Sequence, residues 1–183
     1  SRAPGHLNDS IVTFPELLQD AGYHTYMAGK WHIGDNEEQS PAAHGFESSF
    51  ALMMGSAGHF SSLGPGEGLP VARYAEDGRP ATLPDDFYST EFYADRILEN
   101  LQQNEGDGRP FFAWYTPTAP HWPLQVPDEY LDLYAGVYDA GYDDLLIKRF
   151  QRARDLGIVP EGATLTNYPR TGESWSDFDD QRR

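Results

Sequence analysis

Residues 22–34 read Gly-Tyr-His-Thr-Tyr-Met-Ala-Gly-Lys-Trp-His-Ile-Gly, and the punctuation of this run decides the fold. Gly22 closes what comes before it, Tyr23 to Ala28 has the composition of a strand of about six residues, and Gly29 ends that strand. Lys30 and His32 then stand between Gly29 and Gly34, just past the strand end. A cation and an imidazole in that place belong to a site rather than to a core. Upstream, Thr13-Phe-Pro-Glu16 is a capping box with its proline in the tolerant first turn, so a short helix is expected from there to about Ala21. The unit is helix, then strand.

A second stretch repeats the design. Ser89 is expected to cap a helix that runs to about Gln103, with Phe92, Tyr93, Ile97, Leu98 and Leu101 apolar and Glu91, Asp95, Glu99 and Gln102 facing away. Asn104-Glu-Gly-Asp-Gly108 ends it, and Pro110-Phe-Phe-Ala-Trp-Tyr-Thr116 follows as a continuous apolar run, the composition of a strand covered on both faces in a parallel sheet. His121 lies just beyond, in Ala119-Pro-His-Trp-Pro123. Two such units imply an α/β fold, a partial mixed or parallel sheet flanked by helices. Parallel strands share one carboxyl edge, where open α/β sheets keep their ligand crevices, so Lys30, His32 and His121 converge there if the two strands are neighbours.

Elsewhere the punctuation is looser. Residues from about 35 to 86 are rich in Gly, Pro and Ser and read as long loops with at most short elements. A short helix is expected from Pro127 to about Tyr134, another from Asp143 or Asp144 to Leu156, and Ser176-Asp-Phe-Asp-Asp180 looks like the start of a further one. A length of 183 residues fits one domain or part of one.

Charge and composition exclude several classes. Lys and Arg number 13 against 29 Asp and Glu, a formal charge of −16, and that field repels nucleic acid and anionic membranes. No window approaches the roughly 20 apolar residues of a membrane span, and the first residues lack the pattern of a signal peptide, so the segment reads as soluble. With no cysteine there is no disulfide, thiolate metal site or cysteine nucleophile, and the compartment, cytoplasmic or periplasmic, stays open.

Lysine offers a compact positive charge to an anion, and histidine gives or takes a proton near neutral pH. An oxyanion ester, sulfate or phosphate, suits this set. His59, in Gly55-Ser-Ala-Gly-His59, is a candidate for lining a substrate pocket, and Trp31 and Trp122 are candidates for walling an aryl group. His24 alternates within the strand and reads as structural, while His6 and His44 read as surface and loop residues.

Gly22-Tyr-His-Thr-Tyr-Met-Ala-Gly-Lys-Trp-His32 resembles the second signature of the sulfatases, in which Gly-Tyr, Thr or Ser, Gly-Lys and an aromatic-His pair recur. Thr13 to Gly22 resembles the helix that precedes that signature, Gly45-Phe-Glu-Ser-Ser-Phe50 the turn that follows it, and Arg109 to Gln125 the segment bearing the family's later active-site histidine. The resemblance runs from about Gly5 to Pro160 and is nearest to the bacterial arylsulfatases. It implies an incomplete alkaline-phosphatase-like sulfatase domain that hydrolyses sulfate monoesters. It also implies that Lys30 binds the sulfate, that His32 contacts the hydroxyls of a hydrated formylglycine nucleophile, and that His121 binds sulfate and assists the leaving oxygen. A divalent cation, usually Ca²⁺, completes such a site.

The departures bound the reading. There is no Cys/Ser-x-Pro-x-Arg from which formylglycine is made, and the family's paired aspartates, later Asp-Asn and second active-site lysine are absent. Asp85-Asp86, Asp143-Asp144 and Asp179-Asp180 sit in loop or helix-start contexts where solvated carboxylates are ordinary. Nucleophile and metal ligands are therefore expected outside this chain, which reads as an internal piece of a sulfatase, inactive by itself. Two other functions fit the same residues: a phosphonate monoester hydrolase or phosphodiesterase of the same superfamily, and a non-catalytic chain that binds a sulfated ligand. The natural ester and the oligomeric state are not legible.

Overall fold

The computed structural model describes residues 5–8, 10–64, 66–165 and 175–179. Their contacts divide into two compact units, residues 1–125 and residues 126–183. The first unit holds a five-stranded sheet. Its elements are α1 (Phe14–Asp20), β1 (His24–Lys30), β2 (Ser48–Leu52), β3 (Tyr74–Glu76), β4 (Arg79–Ala81), α2 (Ser89–Gln103) and β5 (Phe111–Thr116), with two 3₁₀ turns at Glu37–Gln39 and Pro41–His44. The strand order is β4-β3-β2-β1-β5, with β1 parallel to both β2 and β5, and β3 antiparallel to β2 and β4. The α/β class and the mixed sheet are as the sequence implies.

Side chains alternate across the sheet as the pleat requires. Tyr26, Ala28, Phe50 and Leu52 enter one buried cluster, which includes Tyr93 and Ile97 of α2. Met27, Ala51 and Met53 enter the opposite cluster with Trp31 and Phe46. On that second face Phe14 of α1 packs edge-on against Phe112 of β5, with ring centroids 5.1 Å apart. Each buried Phe, Leu or Met contributes about 1.5–3 kcal/mol of burial free energy, so the sheet is held from both sides.

Four expectations for this unit need correction. The stretch from 35 to 86 is not chiefly loop: it holds β2, β3 and β4. β3 and β4 are joined by Asp77-Gly78, both at positive φ, the two-residue turn that matches strand twist. The strand expected to end at Ala28 runs on to Lys30, because its ladder with β2 continues to Lys30 opposite Leu52. β5 is not covered on both faces: it is the outer strand among the described residues, and Phe111, Trp114 and Tyr115 are exposed. Ser89 is the first residue of α2 rather than its cap, a position held by Tyr88.

α1 starts as the capping box predicts. The Glu16 carboxylate accepts from the Thr13 backbone N–H (2.6 Å) and from the Thr13 hydroxyl (2.8 Å), contacts that hold its pKa below the usual carboxylate value.

The second unit carries α3 (Asp128–Asp132), α4 (Gly141–Asp155) and a 3₁₀ turn, Trp175–Asp177. The Trp175 ring lies where a side chain on Gly141 would sit, and its indole N–H donates to the Asp139 carbonyl at 3.2 Å. The helix expected to start near Ser176 is only this turn, and Asp180 lies outside the described residues.

At the amino end of β1 the buried His24 is clamped between two carboxylates. Its Nδ1 is 2.8 Å from Glu47 and its Nε2 2.6 Å from Asp107. Arg109 closes the group, donating to the Gly22 carbonyl at 3.0 Å, the Tyr23 carbonyl at 2.8 Å and Glu47 at 2.8 Å. Asp107 foremost, then Glu47, raises the His24 pKa above its ordinary 6.5, while burial and Arg109 oppose this. His24 in turn depresses Asp107; Glu47 is also depressed, since Arg109 and His24 together outweigh its partial burial.

These shifts fix the sign of a pH dependence. A raised histidine pKa stabilises the fold fully below the unfolded value of about 6.5 and is lost as pH climbs through the folded value. The depressed carboxylates act oppositely: their contribution is present above about pH 4 and is lost as pH falls through their folded values. The stability of the protein relative to a His24→Gln variant is therefore expected to be greatest near pH 5 to 6 and to shrink on the alkaline side. Melts of both proteins from pH 5 to 9 check this, and a pH-independent difference would remove the charged clamp.

Candidate functional site

The parallel ladders bring the two sequence-marked segments to one edge of the sheet. β1 lies between β2 and β5, and the β5 register places Gly29 opposite Thr116. Lys30 is thus the last residue of β1, His32 is two residues beyond, and the His121 loop leaves the neighbouring strand at the same carboxyl edge. The Thr116 hydroxyl donates to the Lys30 carbonyl at 2.9 Å, tying the two strand ends. Gly29 makes this possible: at φ +126° it has no side chain, and a Cβ there would run into the Thr116 carbonyl and lie 2.8 Å from Thr116 Oγ1.

Lys30 is half-buried and, among the described residues, makes no ion pair. In a chain of charge −16, a partly shielded ammonium without a carboxylate partner is free to meet an anion. His32 is exposed and has φ +60°, a left-handed conformation unusual outside glycine. Holding it there costs on the order of 1–3 kcal/mol, the kind of strain found where a side chain must be aimed. Gly55 leaves the room that the imidazole needs: a Cβ at Gly55 would lie 2.6 Å from His32 Cε1. His32 lines a cleft of about 400 Å³ with His6, Asp35, Met53 and Arg73 among the other lining residues. Arg73 pairs with Asp35 at 3.1 Å, both side chains well exposed. A larger depression, about 740 Å³, is lined by Glu37, Glu38 and Asp77, whose charge repels an oxyanion.

His121 is exposed, with its Nδ1 2.6 Å from the Trp122 carbonyl. A carbonyl only accepts, so Nδ1 carries hydrogen and Nε2 is the free nitrogen, able to hold or release a proton.

Two candidate assignments change in the structure. Trp31 does not wall a pocket: it is 8 % exposed in the core, and its indole N–H donates to the Gln39 carbonyl at 2.7 Å. Trp122 is exposed, as the reading requires. His59 does not line a pocket either, being 2 % exposed with both ring nitrogens engaged. Nothing local in the sequence marks Arg73 or Gly55; only the fold brings them to His32. Among the described residues no three His, Asp or Glu side chains group as a cation site, and no helix is long and apolar enough to cross a membrane.

A cation and imidazoles past the carboxyl ends of parallel strands equip an α/β protein for anionic ligands. The comparisons name the kind. The sulfatase family model matches residues 2–177, and the chain belongs to the sulfatase family. It is 40 % identical over 162 residues to an arylsulfatase of Klebsiella aerogenes, covering 87 % of this chain and 34 % of that protein. It is 37 % identical over 182 residues to an uncharacterized sulfatase of Schizosaccharomyces pombe, covering 95 % of this chain and 33 % of that protein. A solved structure of a protein in complex with its substrate D-glucosamine-2-N,6-O-disulfate aligns with TM-score 0.54 at 26 % identity, over 73 % of this chain and 24 % of the other. The fold is therefore that of the alkaline-phosphatase-like sulfatases, in part: the chain spans about a third of the length of the curated relatives it matches.

The strain at His32 yields a test. His32→Gly relieves the left-handed backbone and is expected to hold or raise stability, by up to ~1 kcal/mol, whereas His32→Ala keeps the strain. Thermal melts of both variants beside the parent check this, and a His32→Gly protein no more stable than His32→Ala would remove the backbone strain.

Proposed function

We propose that this chain supplies the sulfate-gripping and proton-handling part of a sulfuric ester hydrolase of arylsulfatase type, in which a sulfate monoester and water give an alcohol and hydrogen sulfate. The observation that carries the reading is the strand pairing that sets the Lys30 and His121 segments at one sheet edge, with Lys30 unpaired and His121 Nε2 free.

In this reading Lys30 places its ammonium against the non-bridging sulfate oxygens and offsets their charge in a half-buried setting, where the interaction is stronger than in water. His121 holds a proton on Nε2 and gives it to the ester oxygen as the S–O bond breaks, so that a neutral alcohol departs; such a donor contributes roughly 10² to 10⁴ in rate. His32 faces the attacking group.

The nucleophile and the cation are not held by these residues. The chain has no cysteine and no Ser-x-Pro-x-Arg, and the described residues group no cation ligands. Formylglycine would supply a covalent nucleophile and a divalent ion such as Ca²⁺ Lewis acidity, both from other parts of a longer protein. The segment alone is expected to be inactive.

In the full-length protein Lys30→Ala and His121→Ala are each expected to lower aryl sulfate turnover by about 10²-fold or more, with melts unchanged. Near-normal rates remove them from the site. Parallel assays with a phosphonate monoester separate the alternative chemistry: a preference for that ester overturns the sulfatase reading of the substrate.

A further inference from the structure

His59 sits in the loop after β2, and the fold gives it a set of partners that the sequence does not suggest. Its backbone N–H donates to the Gln125 side-chain oxygen at 2.8 Å, and its Nε2 is 3.2 Å from the His121 carbonyl. Its Nδ1 is 2.8 Å from the Ser89 hydroxyl, and its own carbonyl accepts from the Ser89 N–H at 2.8 Å. The His121 carbonyl can only accept, so Nε2 carries a hydrogen and donates it, while Nδ1 is held by the Ser89 hydroxyl. The ring is thereby fixed in rotation between the first turn of α2 and the loop after β5. Two hydrogen bonds from that loop, at His121 and at Gln125, end on this one buried residue.

His121 itself is exposed, and its Nδ1 bond to Trp122 is made to its own chain neighbour, so it does not anchor the loop to the sheet. We infer that His59 is a positioning residue for His121: through Nε2 it holds the His121 backbone, and so the reach of the His121 imidazole, in the place that proton transfer requires. This rests on the role proposed for His121. His59 touches neither ester nor nucleophile. A loop free to shift by an ångström would misplace the proton donor while leaving the sheet intact.

Two half-isosteres separate this role from mere packing. A glutamine amide nitrogen falls near the Nε2 position and keeps the donor to His121; an asparagine side chain reaches only the Nδ1 position and keeps the Ser89 partner. In the full-length protein, His59→Asn is expected to lower kcat for phenyl sulfate about ten-fold, and for 4-nitrophenyl sulfate by less, because the less acidic alcohol depends more on proton donation. His59→Gln should stay within about three-fold of the parent on both esters. KM should change little in either variant. Equal losses in the two variants, or equal losses on the two esters, overturn the inference.

If His59→Asn does not fold, Ser89→Ala takes its place. It frees Nδ1 and unfixes the ring, and should give the same leaving-group dependence in milder form; unchanged rates on both esters count against the inference. His121→Ala is run beside them. If it retains full activity, the reading of His121 fails; if it is inactive while His59→Asn behaves as His59→Gln does, the positioning role alone fails.

Discussion

The close approach of Gly29 to Thr116 is the constraint on which the rest depends. Two parallel strands can present their ends to a common ligand only if their backbones meet without a side chain between them, and Thr116 occupies the space that any residue but glycine would need at position 29. From that contact the order of the edge follows. The Thr116 hydroxyl secures the Lys30 carbonyl, the ladder with β2 carries Lys30 to the strand end, and the chain then turns through the left-handed His32. The Gly-Lys-Trp-His run is thus one device: glycine for the approach, lysine at the edge, tryptophan anchored in the core, histidine turned outward.

The opposite end of the same strands shows a different use of charge. His24, Glu47, Asp107 and Arg109 satisfy one another together with the Gly22 and Tyr23 carbonyls and the Arg109 N–H, so the amino edge of the sheet is a closed ionic knot. At the carboxyl edge the cation and the imidazoles are left unpaired or half-paired. In a protein of strong net negative charge a half-buried lysine with no carboxylate partner among the described residues supports the proposal that Lys30 meets an anion from outside.

Much of this was legible in the sequence because the signals were local. The capping box of Thr13 and Glu16, the apolar face of α2 and the run Phe111 to Thr116 each lie within a few residues, and each gave the element observed. Asp77-Gly78 is also a strong local hairpin signal, and it marks β3 and β4 in a stretch whose Gly, Pro and Ser content is that of loops. β2 is harder, since Ser48-Ser-Phe-Ala-Leu52 is short and opens on two serines; it is a strand because β1 and β3 supply ladders on both sides. Trp31 looked free beside a site, yet its backbone N–H continues the ladder to the Leu52 carbonyl at 2.9 Å and its ring is drawn into the core. His59 was unreadable for the same kind of reason. Its side-chain partners lie 30 and 62 residues away, a separation that no local pattern encodes.

Lys30 at the end of β1 and His121 in the loop that follows the neighbouring parallel strand β5 are proposed to grip one sulfate. A crystal structure of the full-length protein with a sulfate ester or inorganic sulfate bound tests it most directly. Lys30 Nζ and His121 Nε2 are both expected within about 3 Å of oxygens of the same sulfate group. A sulfate bound at the catalytic centre with either side chain turned away from it would show that the two do not share it.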